Sequence, residues 1–590
     1  MILTWAVVSP AADEADSLHV RMPDSTRIVT DRETVPAAIR SRGHQLSLAN
    51  PLGFIPREES GATGYWNASL SPQYDRTVSV RGIELRSRIR PAVPLRYLPQ
   101  HSLIGVRFNI PDSLRYPLRM HSLKRPLEPM VDITYKKGDY ALNSLSVNMA
   151  FDILDDTHIH LAREGNSYVG QYGIEGIQNE RYHLAVHHRV SDSTTFLYQT
   201  LYTRDQISWT AATPVPRRLG NEKARWYHHL LQWKTTLQPV ELGYGARLGS
   251  NRLNFPGDGF RRHWTEFQRG LWLDAGFQIM DTLPVRVGYE IEQFHVRQSR
   301  ENPTNRYWHT VSLSGTYRQN SILLENTLQI RNISGDAGGR FLLDQFRGSY
   351  SPLSWWEIFV DYQRDLAVPP AQWSTSQRYV RSPETIGEAT IFTTAGAGMG
   401  IRDLLNTHLT AQVQNIQYSD WYRLSYQHQI DRTDSLVTVE SSSGQLRLLN
   451  VSLRTEPFSW LAFGGQGQWI PEYEQKLPEI WSALSAAGYL HFSHYLFNRN
   501  MLLHLYAEGG FYSDRLPVGW NPMLQSLTYY QERISPGTLF FTHLYAAGEV
   551  GPFTVSVSFY NALGANLQYV IDQRVQVPAF YLGVEWQFWN

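Results

Sequence analysis

Apolar and polar residues alternate with a period of two from about residue 128 to the end of the chain. Such alternation is typical of β-strands that have one apolar and one polar face. A clear example is Leu271, Leu273, Ala275, Phe277 and Ile279, which alternate with Trp272, Asp274, Gly276 and Gln278. The predicted strands are about 10–15 residues long, whereas soluble sheets usually have strands of about five or six. The pattern therefore predicts an all-β protein with unusually long strands.

The connections between the predicted strands alternate between short and long. Predicted short turns include Asp155-Asp156, Gln238-Pro239, Ser351-Pro352, Arg402-Asp403 and Glu456-Pro457, and predicted long loops include residues 203–225 and 250–268. Short turns at one end and long loops at the other are typical of outer-membrane barrels. With a first strand at residues 130–136, the sequence predicts a transmembrane antiparallel β-barrel of about 22 strands.

The polar faces of these strands carry charges of both signs. The alternation places Leu273, Phe277, Val287, Leu505, Val557 and Trp586 on the faces that we expect to contact lipid. The opposite faces hold the candidate lumen residues, which are Asp274, Arg286, Glu290, Glu292, Glu357, Asp361, Arg454, Glu508 and Glu585. A mixed-charge wall of this kind can hydrate a channel or hold a plug.

The final strand is the most specific single signal. Phe580, Leu582, Val584, Trp586 and Phe588 share one face of it. A closing amphipathic strand with outward aromatic residues resembles the signal by which the barrel-assembly machinery recognises outer-membrane barrels. We predict that residues 580–588 close the barrel by pairing with residues 130–136, because an unpaired strand edge cannot face hydrocarbon.

Composition narrows the alternatives. The 54 basic and 54 acidic residues balance, whereas a nucleic-acid-binding protein needs a basic surface. The chain has no cysteine, which excludes disulfides, thiolate metal sites and cysteine nucleophiles. No apolar run of about 18 residues occurs, so helical membrane spans are not expected. The 13% of aromatic residues suits a barrel with aromatic girdles.

The amino-terminal part divides into two segments. Residues 1–15 contain a short apolar run followed by Ser9, Ala11 and Ala12, which indicates the remnant of a signal peptide. Residues 16–127 are rich in proline and arginine, and we expect them to form a plug-like or periplasmic segment. Residues 128–590 form the predicted barrel.

No enzymatic or metal-binding motif was found. The sequence lacks a GxSxG elbow, a Walker A loop, an HExxH motif and an EF-hand loop, so we predict no catalytic residue, no cofactor and no metal. Gly396, Gly398 and Gly400 lie inside a strand pattern, which favours packing against a neighbouring strand over phosphate binding. His158 with His160, and His183 with His187, are expected to be polar-face histidines in water.

Several stretches resemble the TonB-dependent receptor superfamily. Residues 559–564 and 578–588 are similar to the last two barrel strands of that family. A second set of positions is similar to its plug and includes Asn50, Pro51, Thr63, Gly64, Arg81 and Gly82. The resemblance implies a barrel of about 22 strands with an abbreviated plug, and uptake of a solute.

We therefore expect a transport protein in the outer membrane of a diderm, Gram-negative bacterium, with an unidentified solute. The expected partners are outer-membrane lipid, the barrel-assembly machinery, and either an energy-coupling TonB-type protein or a surface lipoprotein. No nucleic acid is expected. Two alternatives stay open at this point. One is a plugless porin that passes small solutes by diffusion, and the other is a structural barrel subunit of an outer-membrane or secretion complex.

Overall fold

A computed structural model describes residues 76–80, 83–87, 130–168, 176–211, 217–257, 260–280, 283–298, 303–335, 338–367, 380–381, 389–426, 437–471, 483–513, 518–521, 526–530, 538–560, 562–563 and 578–589. Almost all of these residues lie in strands, apart from short turns and one 3-10 turn at Asp139–Ala141. The strands are β1 (Arg76–Val80), β2 (Ile83–Ser87), β3 (Met130–Gly138), β4 (Leu142–Leu154), β5 (Thr157–Tyr168), β6 (Gly176–Ser191), β7 (Thr194–Ala211), β8 (Arg217–Leu237), β9 (Val240–Gly257), β10 (Phe260–Met280), β11 (Leu283–Gln298), β12 (Thr304–Gln319), β13 (Ile322–Ser334), β14 (Gly339–Leu353), β15 (Trp356–Ala367), β16 (Val380–Arg381), β17 (Thr390–Leu404), β18 (Thr407–Tyr426), β19 (Val437–Phe458), β20 (Leu461–Trp469), β21 (Leu484–Leu496), β22 (Met501–Tyr512), β23 (Val518–Asn521), β24 (Ser526–Tyr530), β25 (Leu539–Val550), β26 (Phe553–Tyr560) and β27 (Ala579–Trp589).

The long strands form a closed antiparallel barrel. Strands β3 to β15, β17 to β22 and β25 to β27 pair in chain order, with β15 directly on β17 and β22 directly on β25. Strand β27 then pairs with β3, from Trp589 opposite Met130 to Tyr581 opposite Gly138. The predicted closure between residues 580–588 and 130–136 is confirmed. Among the described residues the wall has 22 strands, and the closed ladder leaves it without a free edge.

Short strands lie outside this ladder. Strand β16 pairs in parallel with the start of β19, and the β23–β24 hairpin pairs in parallel with the end of β18. Strands β1 and β2 form a separate two-stranded hairpin. The plug-like positions Asn50, Pro51, Thr63, Gly64, Arg81 and Gly82 lie outside the described residues, as do residues 1–15.

The two faces of the wall differ in exposure as the alternation predicts. Leu273 is 55% exposed, Val287 41% and Leu505 44%, whereas the neighbouring Asp274 is 5% exposed. Phe277 and Val557 belong to the same face as Leu273 and are partly exposed. The face that contains Leu273 is called the apolar face below, and the face that contains Asp274 is called the polar face. A barrel with an exposed apolar face is the arrangement that lipid requires.

Three predicted turns are placed wrongly. The turns lie at Ser354-Trp355, Leu405-Asn406 and Ser459-Trp460, not at Ser351-Pro352, Arg402-Asp403 and Glu456-Pro457. The amides of Ser351, Arg402 and Glu456 each donate a hydrogen bond to a carbonyl in the turn of the adjacent hairpin. Because the neighbour supplies these partners, each strand continues beyond its polar or proline residues, with a register shift just before the turn.

Two predicted long loops are also largely strand. Strand β7 ends at Ala211 and β8 begins at Arg217, and β9 ends at Gly257 just before β10 begins at Phe260. Apolar and polar residues no longer alternate in these segments. The backbone ladder nevertheless continues, since neighbouring strands still pair. Because polar segments were predicted to be loops, the predicted strands ended too early.

One apolar cluster lies at the loop end of the wall. Phe294, Trp308, Ile333 and Leu343 are almost fully buried and pack together across β11 to β14. Phe294 and Trp308 are 5.2 Å apart between ring centroids. Phe294 follows Glu292 by two residues and therefore shares the polar face, where it lies directly opposite the buried Arg306. Near the loops this face thus combines apolar rings with buried arginine.

In the part of the chain that the structure describes, no helix has the length and hydrophobicity needed to cross a membrane.

The seam between β27 and β3 is tightly fitted. The carboxylate of Asp139 accepts a hydrogen bond of 2.7 Å from the amide of Phe580, which ties the 3-10 turn to the start of β27. Gly138 lies directly opposite Tyr581. A Cβ atom at Gly138 would lie 2.5 Å from the carbonyl oxygen of Phe580 and would also collide with the Tyr581 ring.

We predict that Gly138→Ala weakens the seam. Because the added methyl group meets backbone, we expect the free energy of unfolding to fall by about 1–3 kcal/mol. Gly165→Ala is the matched control, since a Cβ at Gly165 would meet nothing within 4 Å. Urea unfolding of the protein in lipid vesicles, followed by tryptophan fluorescence, measures both. Equal stability of the two variants would contradict the close approach.

Candidate functional site

The polar face of β8 to β11 carries a network of charged side chains. Arg286 on β11 donates a hydrogen bond of 2.8 Å to Glu241 on β9. The same guanidinium lies 3.6 Å from the buried carboxylate of Asp274 on β10. Lys234 on β8 approaches Glu241 to 3.0 Å. The strand register brings four neighbouring strands into one ion-pair network.

A second group of charges lies four residues further along the same strands. Arg247 on β9 forms an ion pair with Glu292 on β11, and both side chains are about 95% buried. Arg247 also donates a hydrogen bond of 3.3 Å to Glu290. A buried charge is tolerated only when it is paired, so these side chains fix one another's position. Predicted residues Asp274, Arg286, Glu290 and Glu292 are thus brought together on one part of the wall.

Glycines provide the space for this network. A Cβ atom on Gly243 would lie 2.7 Å from a carboxylate oxygen of Asp274, and one on Gly270 would lie 2.8 Å from Nε of Arg247. Both glycines are directly opposite the charged residue that they accommodate. The long side chains therefore lie flat along the wall instead of extending away from it.

A third charged group involves β14, β15 and β17. The buried carboxylate of Glu357 forms an ion pair with Arg402 and lies 3.9 Å from Arg347. Asp361 accepts a hydrogen bond of 2.5 Å from Gln412. Gly396 is directly opposite Asp361 and Gly400 directly opposite Glu357. The glycine-rich segment thus packs against a neighbouring strand, as the sequence predicts.

The other predicted polar-face residues are more scattered. Glu585 is 5% exposed and lies between Thr134 of β3 and Thr554 of β26, at the seam. The backbone of Arg454 pairs with His408, and that of Glu508 pairs with Tyr489 and His543. The side chains of Arg454 and Glu508 lie outside the described part of the structure.

Two histidines and a carboxylate form a further buried group on β21, β22 and β25. Nε2 of His491 and Nδ1 of His504 are 3.1 Å apart. Nε2 of His504 lies 3.3 Å from the carboxylate of Glu549. The two ring nitrogens of the His491–His504 contact must take opposite roles, one as donor and one as acceptor.

The histidines near the short turns are also paired. His158 is buried, is directly opposite His187, and contacts Asp152 with 2.9 Å between Nδ1 and Oδ1. Among the described residues, no group of three His, Asp or Glu side chains is arranged to hold a metal ion.

The residues of the predicted assembly signal lie on the apolar face. Leu582, Val584 and Trp586 are 38–49% exposed. The Trp586 ring stacks on Phe553 with 4.6 Å between centroids and lies 4.1 Å from Phe588, and Phe580 packs on Phe559 at 4.9 Å. These contacts present one continuous aromatic and aliphatic surface beside the seam.

Several ionisable residues of these groups were missed from the sequence. They are Lys234, Glu241, Arg347, Arg402, His491, His504 and Glu549. Their positions on polar faces could have been inferred from the alternation. Their partners could not, because pairing depends on the register between strands that are far apart in sequence.

No protein-family model matches this sequence, and no curated protein matches it. Solved structures do match its fold. The FrpB iron transporter from Neisseria meningitidis superposes with a TM-score of 0.62 at 9% identity, over 78% of this chain and 82% of that one. A mutant of the ferric enterobactin receptor PfeA from Pseudomonas aeruginosa gives 0.64 at 8% identity, over 78% and 81%.

The ferric-catecholate import receptor Fiu from Escherichia coli K12 gives a TM-score of 0.61 at 8% identity, over 78% of this chain and 82% of that one. The chain therefore has a TonB-dependent receptor-like fold, that of an outer-membrane β-barrel. At these identities the likeness concerns the fold alone.

We predict that breaking the Arg247–Glu292 ion pair destabilises the protein. Arg247→Leu leaves the buried Glu292 without its closest cation, so we expect a loss of about 3–5 kcal/mol in the free energy of unfolding. Lys234→Leu is the control, because Lys234 is about half exposed and such pairs contribute at most about 1 kcal/mol. Urea unfolding in lipid vesicles measures both losses. A loss below 1 kcal/mol for Arg247→Leu would show that the pair is not desolvated.

Proposed function

We propose that this protein transports a solute across the outer membrane and takes it up in the manner of a TonB-dependent receptor. The closed barrel with an exposed apolar face and a charged polar face carries this proposal. The iron transporter and the two ferric-chelate receptors that share the fold support it. We assign the polar face to the lumen, because the curved wall crowds its side chains more than those of the apolar face.

A lumen lined in this way suits a docked polypeptide as well as water. That lining also holds carboxylates that are partly exposed, such as Glu241 and Glu290, whose side chains are 31% and 24% exposed. Residues 16–127 contain a series of arginines, among them Arg86, Arg88 and Arg90. Charge-assisted hydrogen bonds between such arginines and wall carboxylates are stronger than neutral ones. We propose that residues 16–127 occupy the lumen as an abbreviated plug.

The proposed partners follow from this arrangement. The apolar face contacts outer-membrane lipid, and residues 580–588 present the assembly signal to the barrel-assembly machinery. An energy-coupling TonB-type protein would act on the amino-terminal segment from the periplasmic side. A surface lipoprotein is the alternative partner, and it would bind at the loop end. A transporter of this kind needs no catalytic residue and no cofactor of its own.

Deleting residues 16–127 tests the proposed plug. Because the segment would no longer fill the lumen, we expect the shortened barrel to show large channel openings in planar lipid bilayers, while the full chain stays nearly closed. Heat-modifiable mobility in gel electrophoresis controls for folding, since both proteins should migrate as compact barrels before heating.

Two results would reject the plug. A full chain that already conducts freely, with no change on deletion, would favour the diffusion porin. A barrel that conducts in neither form would favour a structural subunit of an envelope complex.

A further inference from the structure

A row of arginines crosses the apolar side of the wall at its loop end. Arg204 on β7 is directly opposite Arg225 on β8, and Arg225 is directly opposite Arg252 on β9. All three side chains are exposed. Directly opposed residues have Cβ atoms about 5 Å apart, and like charges at that spacing destabilise a sheet. A bound anion would therefore stabilise the row.

Nearby carboxylates do not balance this charge. Within the described residues, Glu180 on β6, directly opposite Arg204, is the one carboxylate among the positions paired in this row. Lys223 lies two residues beyond Arg225 on the same face and is also exposed. Three arginines and a lysine thus face one glutamate, which leaves a clear positive excess.

The row lies at the level expected for lipid headgroups. Two residues nearer the short turns, Tyr182, Tyr202 and Tyr227 form a directly paired aromatic row, with ring centroids 4.8–5.9 Å apart. Aromatic girdles mark the membrane–water interface. The arginines lie about 12 residues along tilted strands from the short turns, which is about 30 Å in height. They therefore lie just beyond the hydrocarbon.

A surface cleft on the same face of the wall begins at the level of the tyrosine row and extends from there toward the short turns. Its volume is about 490 Å³, and its lining includes Tyr227, His229, Leu248, Phe267, Arg269 and His295. Arg269 donates a hydrogen bond of 2.5 Å to Gln293, which holds its guanidinium at the cleft. The cleft thus combines apolar surface, aromatic rings and a further cation on the side that faces the membrane.

We propose that the arginine row binds the phosphorylated headgroup of an outer-leaflet glycolipid of the lipid A class, and that the cleft holds the part of the same lipid that lies nearer the hydrocarbon. Charge complementarity argues for a phosphate-bearing ligand, because guanidinium groups bind phosphate with paired hydrogen bonds. Continuity with the tyrosine row and the apolar face argues for a lipid, since its acyl chains would lie along that face. This inference requires the barrel to lie in the outer membrane but is independent of transport.

Native mass spectrometry of the full chain in neutral detergent tests this proposal. The probes are diphosphorylated lipid A and a dephosphorylated form with the same acyl chains. We expect the double variant Arg225→Gln/Arg252→Gln to bind the diphosphorylated lipid at least about tenfold more weakly, because two charge-assisted contacts are lost. Arg340→Gln is the control, since it removes an exposed arginine that lies opposite Asn332, away from the row.

The two probes and the control give separate outcomes. Selective binding of the phosphorylated form, weakened by the double variant and unchanged in Arg340→Gln, supports the site. Equal binding of both lipids by the unmodified protein would show that acyl chains alone are recognised and would overturn it. Unchanged lipid affinity in a double variant that retains heat-modifiable mobility would also overturn the proposal. That result would favour an acidic protein as the partner of the arginine row.

Discussion

The structure depends on one constraint, which is that hydrocarbon offers no hydrogen-bond partner to a peptide group. Every strand that crosses the bilayer must therefore have a strand on each side, and the last must meet the first. The β27–β3 seam meets this requirement. The seam fits closely, because it must join two ends of the barrel that are far apart in sequence. Gly138 lies against Tyr581, and Asp139 accepts a hydrogen bond from the amide of Phe580.

Closure separates the two faces, and their chemistry then differs. On the apolar face of β7 to β9, the tyrosine row lies between the arginine row and a mixture of aromatic, aliphatic and small polar side chains nearer the short turns. We expect this order for headgroups, interface and hydrocarbon. On the polar face, charges are buried as pairs, such as Arg247 with Glu292. Glycines on the neighbouring strand leave room for these side chains. A rigid charged wall of this kind suits the uptake that we propose, because it can hold a polypeptide by many small contacts.

The sequence predicted the barrel well because a period-two pattern is a local property. Asp274 and Leu273 are assigned to opposite faces by their positions alone. The pairing of Arg247 with Glu292, or of His504 with Glu549, depends on register across strands, which no local pattern contains. Strand ends were predicted poorly for the same reason, because the amide of Arg402 is satisfied by a carbonyl of the neighbouring turn. The arginine row was missed because its residues lay in segments that were predicted to be loops.

The central claim is that the apolar face contacts lipid while the polar face encloses an aqueous lumen. Val413 and Gln414 are adjacent on β18, and Val413 is 57% exposed on the apolar face whereas Gln414 accepts a hydrogen bond of 3.0 Å from Asn450 on the polar face. The chain has no cysteine, so Val413→Cys and Gln414→Cys each place one thiol in a defined position. In outer-membrane vesicles, the thiol of Gln414→Cys should react with a small water-soluble maleimide and that of Val413→Cys should not, because the reactive thiolate forms in water. Faster labelling of Val413→Cys would contradict the account.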